Sequence, residues 1–307
     1  AAAKHSGGTV IAQVKQRVEA GSVHPRPSVV PARLVDGVVG EPAPPQTVGG
    51  KRPELTGEVP LLLDPEPVSA SVAPVIARRA MQEIRDGRLV NLGYGIPAMI
   101  PALGFARKLH ERVAFSTEHG PVGGLPDGMA TFGARANPDI LSDSSLVFDL
   151  YDGGLLDVTL LGVAQVDREG NANVGKCAHI APGSGGVRHI CHRIPKIVLC
   201  GTFATRGLEE ELGDGRLTIR KEGKVQKFVS RVEQITLSGR AACAKGQDVL
   251  YVTDRAVFRL IERGIAIAEV APRIEPATDI LPHMEFPIAI PPDVPVMDAA
   301  LFRGSRV

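Results

Sequence analysis

Ser116-Thr117-Glu118-His119-Gly120-Pro121-Val122-Gly123-Gly124 follows the short apolar run Arg112-Val113-Ala114-Phe115. The run reads as a buried strand, and four of the last five residues of the stretch are Gly or Pro, so the backbone must turn sharply there. A carboxylate is thereby left at the C-terminal end of a strand. In open α/β sheets ligands bind in the crevice beyond those ends, and glycines after the carboxylate let a substrate approach the backbone closely. Glu118 is therefore a candidate nucleophile or base. Taken alone, the stretch fits a solvated loop carboxylate followed by an ordinary turn better than it fits a catalytic group.

Upstream, Val72, Val75, Ile76, Ala80 and Ile84 recur at helical spacing among Arg78, Arg79, Gln82 and Glu83, an amphipathic helix stopping near Gly87. Leu89-Val90-Asn91-Leu92-Gly93-Tyr94-Gly95-Ile96-Pro97 then reads as a strand, a Gly-x-Gly turn and a proline where a helix can begin. A helix over residues 98–109 and the strand before Glu118 complete a βαβ unit, which puts the glycine turn and Glu118 at one end of a parallel sheet.

Downstream, Leu146-Val147-Phe148, residues 156–163, residues 196–203, residues 248–252 and residues 265–270 read as further strands, and residues 167–171 as a turn. Thr253 or Asp254 is expected to cap a helix over residues 255–262, whose Val257, Leu260 and Ile261 share a face. A last short turn is expected over residues 296–301. The fold class is α/β, with an open, mixed, largely parallel sheet and flanking helices.

The composition excludes several functions. Lys+Arg 35 against Asp+Glu 34 gives a formal net charge of +1, and no block of like charge points to nucleic acid or to an anionic membrane surface. No apolar run reaches the ~20 residues of a membrane span and no signal-peptide pattern opens the chain, so the expected location is cytoplasmic. Four sparse cysteines, Cys177, Cys191, Cys200 and Cys243, suit reduced thiols better than a disulfide framework. The 307 residues begin Ala1-Ala2-Ala3 without Met, and the chain is expected to be a piece of something longer.

Before residue 71 the chain is a poor folder. Residues 9–14 form a strand-like run, too little to fold alone, and prolines at 42, 44, 45, 53, 60, 65 and 67 remove backbone donors and disfavour helix. Residues 41–68 read as a linker.

Other motifs fall short. Gly93-Tyr94-Gly95 lacks the third glycine of a dinucleotide fingerprint, and no Lys-[Ser/Thr] follows either glycine cluster as in a P-loop. Cys177, His179, His189, Cys191 and His192 fall within sixteen residues, but their spacing matches no zinc pattern, and no metal is expected. Pro182-Gly183-Ser184-Gly185-Gly186 misses the spacing of a serine hydrolase elbow.

Residues 90–97, Glu118-His119-Gly120-Pro121-Val122-Gly123-Gly124 and Gly183-Ser184-Gly185-Gly186, in this order, resemble the β half of the family I CoA-transferases, with the single-chain acetate/propionate enzymes as the nearest likeness. Val252-Thr253-Asp254-Arg255-Ala256-Val257-Phe258 looks like that family's late strand-to-helix step, and residues 1–14 are similar to the last strand of its α half. His119, where the family usually has Ser, Ala or Asn, and Val187, where Phe or Ala is common, depart from the pattern at positions that bear on the acyl pocket.

The resemblance implies a tail of an α domain over residues 1–40 and a β domain over residues 69–307. It implies Glu118 as the nucleophile, with Gly95, Gly183, Gly185 and Gly186 as oxyanion and CoA-binding backbone. The implied substrates are acyl-CoA and a short-chain carboxylate, with no cofactor; the implied partners are the α domain or subunit of the same enzyme and further copies of it. An acyl-CoA hydrolase on the same scaffold and a catalytically silent ligand-binding domain are the alternatives.

Overall fold

The computed structural model describes residues 2–14, 17, 19, 30–40, 52–55, 57–65, 68, 71–127, 131–176 and 183–303. Near the N-terminus, the helix α1 (Ala2–His5) precedes β1 (Ile11–Gln13), which pairs in parallel with β2 (Gly37–Val39). These two strands form a sheet of their own, tied by Lys4 to Asp36. In the Pro-rich stretch, Arg52 pairs with Glu54 and Asp127, and Leu61 exchanges two hydrogen bonds with the Asn137 side chain.

The body follows from α2 (Val72–Met81), which buries Val75, Ile76, Ala77 and Ala80 along one face as the spacing predicts. After it come β3 (Leu89–Leu92), α3 (Ile100–Leu103), α4 (Leu109–Arg112) and β4 (Ala114–Ser116). The single helix expected over residues 98–109 is instead broken into short pieces. Gly104 ends α3, where a Cβ would meet the Leu109 side chain at 2.7 Å, and Lys108 takes a left-handed φ of 54° before α4. A small hairpin, β5 (Leu125–Pro126) with β6 (Arg135–Ala136), then leads to α5 (Ser144–Asp152).

That helix overturns the strand expected at Leu146-Val147-Phe148. A three-residue apolar run carries no period of its own, and burial of Val147 and Tyr151, one helical turn apart, settles it.

β7 (Val158–Gly162), the hairpin of β8 (Gln165–Asp167) with β9 (Ala172–Asn173), the short α6 (Val187–Ile190) and β10 (Lys196–Cys200) continue the chain. Next come β11 (Ala204–Thr205), the hairpin of β12 (Glu209–Gly213) with β13 (Arg216–Lys221), β14 (Val225–Gln226), β15 (Phe228–Val229) and α7 (Gly239–Ala244). β16 (Asp248–Val252), β17 (Ala256–Ile261) and β18 (Gly264–Val270) close the main sheet.

The seven strands of that sheet run in the order β18-β17-β16-β10-β7-β3-β4. Neighbours from β16 to β4 are parallel, while β17 and β18 are antiparallel, which makes the sheet mixed and largely parallel as expected. The central strands are covered on both faces and read as near-continuous apolar runs; Ile197 to Cys200 and Val249 to Val252 are all buried.

β17 replaces the helix expected over residues 255–262. Thr253 Oγ1 accepts from the N–H groups of Arg255 and Ala256, so it closes a tight turn rather than capping a helix. Val257 pairs with Val252, and Ile261 faces Gly264 across a two-residue turn. The 257/260/261 spacing satisfies helix and strand alike, and pairing on both sides decides for the strand. The late step is thus strand to strand. At the C-terminal end the expected short turn is a 3-10 helix over Ala299–Phe302.

Candidate active site

Glu118 lies two residues beyond β4, at the edge where the parallel strands end. Its Oε2 is buried and has no hydrogen-bond partner. Its main-chain oxygen accepts a bond from Ser144 Oγ at 2.6 Å. Two residues on, Ser142 Oγ donates to the Gly120 carbonyl at 2.9 Å. Gly120 has φ of 125°, and a Cβ there would stand 2.1 Å from the Ser142 carbonyl oxygen, so only glycine lets the loop pass this close. Ser142, just before α5, and Ser144, its first residue, therefore stitch down the loop that carries Glu118.

Beneath the loop runs a buried polar row. Asn91 of β3 is in register with Ser116 of β4 on one side and Thr159 of β7 on the other, and all three are fully buried. Thr159 Oγ1 donates to Asn91 Oδ1 at 2.7 Å, and Asn91 Nδ2 donates to Tyr151 Oη at 3.1 Å. Tyr151 Oη in turn donates to Ser116 Oγ at 2.8 Å. The row fixes the relative height of three strand ends. Burial pushes the Tyr151 hydroxyl pKa up, against bonds from Ser116 and Asn91 that lower it; the nearby Glu118 charge raises it and Arg135 lowers it.

The Gly93-Tyr94-Gly95 turn reaches the same place. Tyr94 meets Phe132 edge-on at 5.4 Å between ring centroids, and His119 meets Phe132 edge-on at 5.5 Å. Gly95, at φ of 93°, opens the 3-10 segment Ile96–Met99.

Gly183, Gly185 and Gly186 take a different position. Gly183 N–H donates to the Gly175 carbonyl at 3.1 Å, and Gly186 precedes α6 with its Cα against Phe148; a Cβ would lie 2.9 Å from the ring. Phe148 stands on α5 between Ser144 and Tyr151. The link from this glycine turn to Glu118 thus runs through α5, and no bond joins Gly183, Gly185 or Gly186 to Glu118 among the described residues.

Cys177 and His179 lie outside the described residues. Burial pushes the thiols of Cys191 and Cys200 up to about 12, which makes them inert, and His189 Nδ1 faces Asp152 at 3.2 Å. Among the described residues no three His, Cys, Asp or Glu side chains come together as a metal site would require. No helix among them is long and apolar enough to cross a membrane.

Ser144, Tyr151 and Arg135 were not singled out by the sequence. The seven-residue spacing of Ser144 and Tyr151 is two helical turns, a signal hidden once 146–148 is read as a strand.

Fold and site together define an α/β domain with a carboxylate poised at the C-terminal edge of a parallel sheet. No protein-family model matches the chain. It is 39% identical over 311 residues to caffeate CoA-transferase of Acetobacterium woodii, which covers 98% of this chain and 59% of that protein. It is 30% identical over 221 residues to the acetate CoA-transferase subunit beta of Escherichia coli K12, across 66% of this chain and 87% of that subunit. The crystal structure of the acyl-CoA transferase YdiF apoenzyme from Escherichia coli O157:H7 superimposes with a TM-score of 0.88 at 36% identity, over 98% of this chain and 57% of that one. A thioester complex of YdiF with CoA matches at 0.86.

The chain belongs to the CoA-transferase family. It spans somewhat more than half the length of the two larger relatives, at 59% and 57%.

Proposed function

We propose that this chain is the nucleophile-bearing half of an acyl-CoA:carboxylate CoA-transferase, working by a ping-pong mechanism through Glu118. The observation that carries the reading is the buried, unpartnered Oε2 of Glu118 on a loop clamped at the end of β4. A carboxylate oxygen left without a donor keeps its lone pairs for attack.

In this mechanism Glu118 attacks the acyl-CoA carbonyl, the C–S bond breaks, and a mixed anhydride and CoA thiolate result. The thiolate attacks the Glu118 carbonyl and expels the first acid as its carboxylate, leaving a glutamyl-CoA thioester. The acceptor carboxylate then runs both steps in reverse. Both intermediates remain activated acyl groups, so the thioester energy is conserved. Each addition creates an oxyanion, for which the backbone N–H groups of Gly95, Gly185 and Gly186 are the proposed donors; losing one such donor costs on the order of 100-fold or more in rate.

The relatives' greater length supports a further part of the enzyme, an α portion that closes the acyl pocket against water. By the same reading residues 1–40 are its tail, residues 41–68 the connection, and residues 69–307 the β domain, in an oligomeric cytoplasmic enzyme that needs no cofactor.

The test is covalent. Incubation with acyl-CoA followed by borohydride should reduce a thioester at Glu118, seen by peptide mass, and Glu118→Gln should show none. An unmodified Glu118 in the parent chain sinks the reading.

A further inference from the structure

The loop that carries Glu118 is closed at its neck by a side chain that the proposed chemistry does not use. The Gly123 N–H donates to the Phe115 carbonyl at 2.8 Å, and Ser116 bridges Val122, so residues 116–122 leave the end of β4 and return to it. Arg135 of β6 stands against that neck. Its Nη1 donates to the Phe115 carbonyl at 3.0 Å and to the Gly123 carbonyl at 3.1 Å, the two ends of the loop.

Fastening two carbonyls does not by itself call for a guanidinium, since a neutral amide also carries two N–H groups on one nitrogen. Arg135 is fully buried, and its Nε and Nη2 bond no described residue. Burial draws its pKa down to about 10, which still leaves it charged at neutral pH. An interior charge without a counter-ion opposes folding. A group held against that cost, with both of its bonds given to one loop, is explained by what the loop carries.

Phe115 lies three residues before Glu118 and Gly123 five after it. Ser144 and Ser142 hold the crown of the loop, at the carbonyls of Glu118 and Gly120, while Arg135 holds its base from the opposite side of the chain's turn. In the ping-pong reaction Glu118 serves first as the nucleophile and then as the carbonyl that the CoA thiolate attacks, so its backbone must stay in place through both steps. Displacing a reacting atom by about 1 Å costs on the order of 100-fold in rate.

We propose that Arg135 is a positioning residue that fixes the base of the Glu118 loop for both steps. It acts through the two backbone carbonyls and touches no substrate. The inference rests on the reading of Glu118 as the acyl-bearing group, and it adds a residue which that reading does not require.

The test is single-turnover thioester formation at Glu118 in the 307-residue chain, followed by peptide mass after borohydride at varied acyl-CoA concentration. Arg135→Met should lower the maximum rate at least ~10-fold and leave the half-saturating concentration within about twofold, because the loop moves while the substrate contacts stay. Arg135→Lys, whose ammonium has donors for both carbonyls, should recover several-fold of the lost rate. Hydrogen exchange should quicken between residues 117 and 122 in the methionine variant, with β7 and β10 as protected as in the parent. Arg135→Gln takes its place if the methionine variant does not fold; failure of both to fold makes the side chain a requirement of the fold and overturns the proposal. So does a maximum rate within about twofold of the parent's, a change in half-saturation instead of rate, no recovery by lysine, or exchange quickened across the whole sheet. A parent chain that forms no thioester overturns the reading of Glu118 as well, whereas a reactive parent with indifferent variants overturns this inference alone.

Discussion

The Ser144 hydroxyl donates to the main-chain oxygen of Glu118 at 2.6 Å, so the first turn of α5 holds the backbone of the proposed nucleophile from outside its own strand. Seven residues along the same helix, Tyr151 bonds Ser116, two residues before Glu118. One helix thus grips the chain on both sides of Thr117.

Ser144→Ala removes a bond at an exposed position, and its stability cost should be about 0.5–1.5 kcal/mol. Thioester formation at Glu118 should slow several-fold more than that loss of stability explains, because misplacing a reacting atom costs rate steeply. Single-turnover mass spectrometry beside a melting curve is the check; an unchanged rate means that the bond serves only the helix start.

Tyr151→Phe keeps the ring and removes the hydroxyl at the centre of the polar row. Asn91 Nδ2 loses its acceptor and Ser116 Oγ the donor Tyr151, inside a site from which solvent is excluded. Leaving such groups unsatisfied costs about 1–3 kcal/mol. Denaturant unfolding should show a lowered midpoint with an unchanged slope, and a midpoint equal to the parent's contradicts the row as drawn.

A pH effect is expected at the other side of the sheet edge. Arg255 is fully buried and holds Glu222 through two bonds at 2.9 and 2.8 Å, while Asp254 Oδ1 accepts from the Phe203 N–H at 2.6 Å. Glu210 Oε1 and Asp254 Oδ2 are buried without a donor. Burial, and then the Asp254 charge, push the Glu210 carboxyl up to about 9. A folded pKa above the unfolded one means that the folded state binds the extra proton. Its contribution is complete below the ordinary glutamate range and is lost as pH rises toward 9, at no more than about 1.4 kcal/mol per pH unit. Glu210→Gln, whose amide can donate to Asp254, should therefore gain stability relative to the parent between pH 5 and 9. Parallel melting curves across that range disprove it.

The sequence by itself was enough to place Glu118. An apolar run followed by glycines and proline has few readings, and β3, β4, β10 and β16 were visible because buried parallel strands are continuous in their apolarity. Residues 146–148 and 255–262 were not legible, since short apolar runs satisfy helical and extended spacing equally and the choice falls to whatever packs beside them. The partners of the site were equally hidden. Asn91, Ser116 and Thr159 meet only because three strands stand in register, and Ser144 and Tyr151 meet that row only because α5 lies across it. Local periodicity decides which residues can face the interior, but which buried polar group finds a partner depends on contacts between residues far apart in the chain, and those exist only once the sheet has formed.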